Sequence, residues 1–133
     1  MASAESTPID AATAQRNVAL LRASWDMLEE VVPTSPAELR KGPRGGGRDR
    51  DEIRRHVIES ERVYARKIGV RHKPFDMDDK SALNAMRDEM TEVLSKPSNG
   101  QPLVDGGWNA SYAVRRITWH VVDHIWEIED RRG

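Results

Sequence analysis

Apolar residues return every three or four positions in four separate segments of this chain, and nowhere do they alternate in twos over a useful length. That period is the signature of helices with one buried face, and it excludes a sheet as the organising element. The first segment runs from about Thr13 to Val32, with Val18, Leu21, Trp25, Leu28 and Val32 inward and Arg22, Asp26 and Glu29 outward. Pro33 and Pro36 are expected to stop it. The second runs from about Asp49 to Ile68, with acidic residues at its start, where the helix dipole favours them. Its stripe is Ile53, Val57, Ser60, Tyr64 and Ile68, and Gly69 is its expected end. A third spans about Asp78 to Leu94, with Leu83, Met86, Met90 and Val93 inward, and a fourth about Asn109 to Arg131. The expected fold class is all-α, a four-helix bundle.

Residues 1–12 are small and polar and read as a loose lead-in, leaving 13–133 as a single domain. The segment 33–48 reads as a loop with a short turn at Pro36 to Arg40. Its Gly45–Gly47 run, set among arginines, invites comparison with a phosphate loop. The terminal lysine and hydroxyl residue of that pattern are absent, and so is a preceding strand, so a hinge or a substrate-side loop is the expectation. Connections at 69–77 and 95–108 join the remaining helices.

Composition narrows the function classes. Charged residues at 32% beside a hydrophobic fraction of 38% suit a small bundle. A formal net charge of -1 speaks against nucleic acid or an anionic membrane as partner. No stretch approaches the ~20 apolar residues of a membrane span. Met1 to Gln15 has neither a basic start nor an apolar core, so the cytoplasm is the expected compartment. With no cysteine, the chain has no thiolate zinc site and no thiol nucleophile of its own.

Three of the four histidines fall on these helices beside the buried stripes. His56 flanks the stripe of helix two. On helix four, Val114, Ile117, Val121, Ile125 and Ile128 mark the buried face, with His124 inside it, His120 on its flank and Glu127 adjoining. Residues four apart stack on one helix face, so His120 and His124 are placed to share one ion. Depth tests whether His56 can join them. It lies about seven residues into helix two, roughly 10 Å, and the His120–His124 midpoint lies about eight residues before the end of helix four, roughly 12 Å. These levels agree if helices two and four are antiparallel; if parallel, they miss by about five residues, roughly 7 Å. The site therefore requires an up-down-down-up order with a crossover between helices two and three. The nine residues 69–77 reach roughly 30 Å extended, against a third helix about 25 Å long. Three neutral imidazoles with a fourth position open describe a catalytic rather than a structural zinc site, and nickel or iron accept the same ligands.

The runs RDEIRRHVIESERVYARKIG (50–69) and RRITWHVVDHIWEIEDR (115–131) resemble the DinB-like (DinB/YfiT) superfamily, over roughly residues 13–131. The motif is a histidine early in helix two and His-x-x-x-His in helix four. The resemblance implies an up-down-down-up bundle in which His56, His120 and His124 hold a divalent ion, commonly zinc or nickel. It also implies a transferase or isomerase acting with a low-molecular-weight thiol such as mycothiol or bacillithiol; a metal-dependent hydrolase is the other enzyme class that such a site would suit. The related mycothiol-dependent maleylpyruvate isomerases have a glutamate at the position of His120 and a further C-terminal domain.

A metal held by neutral ligands generates hydroxide or thiolate near neutral pH, and an external thiol would supply the nucleophile this chain lacks. Glu127, one turn beyond His124, is the candidate catalytic base or ligand-orienting group; Glu59 is a weaker candidate that points more outward. The alternative is a non-catalytic bundle that binds metal or a partner protein. Helix four also carries a second apolar row, Tyr112, Trp119 and Trp126, with Val122 beside it. That row is expected either to pack against helix one and the long loop or to form a homodimer face. Arg115, Arg116, Arg131 and Arg132 read as solvated or salt-bridged, with substrate binding the lesser alternative, and His72 as a surface residue.

Overall fold

The computed structural model describes residues 8–39 and 49–131. Four helices occupy this span: α1 (Ala11–Thr34), α2 (Arg50–Arg66), α3 (Lys80–Leu94) and α4 (Ala110–Arg131). Among the described residues there is no strand, only one isolated antiparallel bridge between Ile9 and Ser98. That bridge ties down part of the lead-in, through Ile9 N–H to the Ser98 carbonyl at 2.9 Å and the reciprocal bond at 3.0 Å. Gly45–Gly47 and Arg132 lie outside the described residues.

Local chemistry sets the helix ends. Asp10 caps α1 by accepting from the Thr13 N–H at 2.7 Å, which holds its carboxyl below the ordinary range. At the other end α1 does not stop at Pro33, as expected, but continues to Thr34. Hydroxyls account for the extra residues. Thr34 Oγ1 donates to the carbonyl of Glu30 or Val31, and Ser35 Oγ donates to that of Val31 at 2.8 Å, so the last carbonyls are satisfied. Asp49 and Glu52 form a capping box at the start of α2. Gly69, at φ +86°, ends the turn after α2, and the Val70 N–H returns to the Ala65 carbonyl at 2.9 Å.

Contacts between side chains give the helix directions. Arg50, opening α2, donates to the carbonyls of Val32 and Ser35 at the end of α1, so α1 and α2 are antiparallel. Arg54 reaches the Met77 carbonyl just before α3, and Glu61 meets Arg87 a comparable distance along, so α2 and α3 are parallel and the 69–79 segment is a crossover. Moving along α2 from His56 to Tyr64, the partner on α4 changes from His124 to His120, so these helices are antiparallel. The directions are those the histidine depths demanded.

The core is a continuous apolar cluster that includes Leu21, Leu28, Ile53, Val57, Met86, Met90, Ile117, Val121 and Ile125. Two stripe residues expected inside α2, Ser60 and Tyr64, are only half-buried, as is Val93 on α3. The face of α2 is turned so that Arg54, Ile58, Glu61 and Ala65 go inward instead. A charged network explains the turn. Glu61 is fully buried and accepts from Arg87 Nε at 3.1 Å, from Arg87 Nη2 at 3.0 Å, and from the Trp25 indole. Glu29 completes it by accepting from Arg54 at 2.9 Å and Arg87 at 3.2 Å. Burial pushes the Glu61 carboxyl up from its ordinary range, against the pull of Arg87 and Trp25.

Candidate metal centre

His56 is carried by α2 and His120 and His124 by α4, and all three are half-buried. Their ring centroids are 5.3 Å apart for His56–His120, 4.8 Å for His56–His124 and 4.6 Å for His120–His124. One ring nitrogen from each can be chosen so that all lie within 4.8 Å of one another. A tetrahedral ion with metal–nitrogen bonds near 2.0–2.1 Å brings its nitrogens to roughly 3.4 Å, so the rings need only draw inward by small side-chain rotations.

Glu127 decides how one imidazole presents itself. Its Oε1 lies 2.8 Å from His124 Nδ1. A proton on Nδ1 donated to this carboxylate leaves the Nε2 lone pair of His124 directed away from it. This is the arrangement by which metal-binding histidines are held in one tautomer and one orientation. The residues present therefore fit a divalent ion, by ligand type, by convergence and by the carboxylate behind one ligand.

Sequence reasoning placed these four residues together, and the structure does the same. Glu59 is exposed and lines a separate groove with Arg55, Phe75 and Asp76, away from the imidazoles. His72, expected on the surface, is half-buried and paired with Glu89 of α3. The crossover brings His72 to the exposed side chain of Glu89, while Phe75 and Met77 further along it lie beside Ile58 and Glu59 of α2. Of the second row, Tyr112 packs on Trp108 of the long loop and Trp119 borders a groove with Leu20 of α1, yet Trp119 and Trp126 stay 53% and 56% exposed and touch each other edge to face, with centroids 6.1 Å apart.

Aromatic residues bound the site on one side. Tyr64 sets its ring perpendicular to His120 at 5.3 Å and meets Trp108, also at 5.3 Å. Trp108 in turn meets Tyr112 at 5.1 Å. The 95–109 loop delivers Trp108 because Gly107 permits close approach: a Cβ there would stand 2.3 Å from the Lys67 carbonyl oxygen. Trp108 N–H then donates to that same carbonyl at 2.8 Å. The i, i+8 relation of Tyr64 to His56 could have pointed to this neighbour; nothing local in the sequence pointed to Trp108.

No helix among the described residues is long and apolar enough to cross a membrane. Compared with protein-family models, curated proteins and solved structures, the chain has no match in any of the three.

Proposed function

We propose that His56, His120 and His124 bind a divalent ion, zinc or nickel, and that the protein is a metal-dependent enzyme. The observation that carries this reading is the convergence of three imidazoles from two antiparallel helices, one of them backed by Glu127. The resemblance to DinB-like bundles favours S-transfer from a low-molecular-weight thiol such as mycothiol or bacillithiol, and an open metal position would suit hydrolysis as the other reaction class. Three neutral ligands leave the ion its full charge and a position for an exogenous ligand, where a bound water or thiol loses its proton near neutral pH.

The chain's own contributions are positional. Glu127 holds His124 and is the nearest candidate to move a proton at the site. Tyr64 covers one side of His120 and keeps water from that flank. The absence of cysteine is consistent with a nucleophile that arrives with the substrate. The second reading, a bundle that binds metal or a protein partner without turnover, is favoured by the exposed tryptophan pair on α4.

Metal analysis separates the outcomes. Protein purified without chelator is expected to carry about one ion per chain, and His120→Ala to lose it while keeping its helical circular dichroism. Substoichiometric metal in the parent protein at every divalent ion tried would sink the metal reading. Full loading with no thiol-transfer or hydrolytic turnover would leave the binding role in place of the enzyme.

A further inference from the structure

Arg116 stands one turn before His120 on α4, and its guanidinium carbon lies over the ring of Tyr64, 5.7 Å from the centroid. Tyr64 in turn abuts His120. Cation, ring and imidazole thus form one row where α2 meets α4, which Trp108 and Tyr112 extend. Arg116 differs from the arginines of the core network. Arg54 and Arg87 are buried against carboxylates, whereas Arg116 is exposed, and no carboxylate of the described residues is in ion-pair range of it. An aromatic face orients a guanidinium plane without consuming its N–H donors, which stay available for a planar anion.

We propose that this row is the ligand-recognition arm of the metal site, and that the site takes small molecules bearing a carboxylate on an apolar or planar body. The inference rests on the metal reading above. One helical turn, about 5.4 Å, separates the Arg116 and His120 positions, which suits a metal-binding atom and a carboxylate a few bonds apart. Glu127 lies beyond His124 at the other end and gives that end the opposite sign, so a singly anionic ligand has one favoured orientation. The aromatic rings supply contact area for the body of the molecule and cost little entropy, since they are already packed on one another.

The full chain loaded with cobalt(II) provides the test, because a thiolate bound to cobalt gives a charge-transfer absorption band. Titration with 3-mercaptopropionate and with its amide compares the same thiol with and without the anion. The parent protein is expected to bind the carboxylate form about tenfold more tightly, the scale of one charge-assisted hydrogen-bonded contact. Arg116→Gln is expected to bring that ratio close to one and to leave the affinity for the amide unchanged. Equal binding of the two thiols by the parent, or a preference that survives in Arg116→Gln, overturns the proposal while the metal site stands. A chain that shows no cobalt d–d bands at all overturns the metal reading, and this inference falls with it.

Discussion

At the scale of single residues, the proposed metal site would divide binding, by the three histidines, from aiming, by Glu127. Glu127 Oε1 lies 2.8 Å from His124 Nδ1, where accepting a proton from that nitrogen would leave Nε2 free to face an ion. Glu127→Gln is therefore expected to lower metal affinity by about 10–100-fold without altering the fold. Competition against a chromogenic chelator measures this, and an unchanged affinity would remove Glu127 from the site. The histidine cluster was legible in the sequence because a helix converts spacing into direction: four residues apart is one face, and distance from a helix end is height. Trp108 was not legible. Its place depends on a long loop meeting the end of α2 at Gly107, a contact between segments with no shared period.

At the scale of elements, α2 shows how charge can override an apolar pattern. Counting apolar residues put Ser60 and Tyr64 inward, but the helix turns to bury Glu61 among Trp25, Arg87 and Glu29. The turn has a consequence at the opposite face, where it leaves Tyr64 half-buried beside His120. A buried carboxylate held in this way tolerates poorly the loss of its partner. Arg87→Met strands Glu61 at full burial and is expected to cost about 3–5 kcal/mol in urea unfolding. Adding Glu61→Leu to that variant is expected to restore most of the loss, since the stranded carboxylate is then gone and Arg54 keeps Glu29 as its partner. If the double variant is less stable than Arg87→Met alone, the network does not act as a unit. The opposite signs at positions 61 and 87 were visible in sequence, but only the parallel run of α2 and α3 makes them neighbours.

At the scale of the whole molecule, helix number and direction were both legible, the first from period and the second from the requirement that three histidines meet. What could not be read was which apolar row stays uncovered. On α1, Leu20 and Met27 are 60% and 52% exposed, and on α4, Trp119 and Trp126 are similarly open; each pair is two helical turns apart. Leu20 and Trp119 line one groove between the parallel helices α1 and α4. A seam of this spacing suits another helix pair, and we propose a second copy of the chain as its cover. Sedimentation at micromolar concentration is expected to show a dimer that Trp119→Glu/Trp126→Glu converts to monomer; a monomeric parent protein would refute it. The crossover between α2 and α3 has its own consequence, in time rather than space. Because these consecutive helices run side by side in the same direction, no short hairpin joins them, and the helices in most extensive contact, α1 and α4, are the outer two of the four in chain order. On a ribosome, His56 is made with α2 well before α4, so the three imidazoles can meet only once α4 has emerged and folded back along α2.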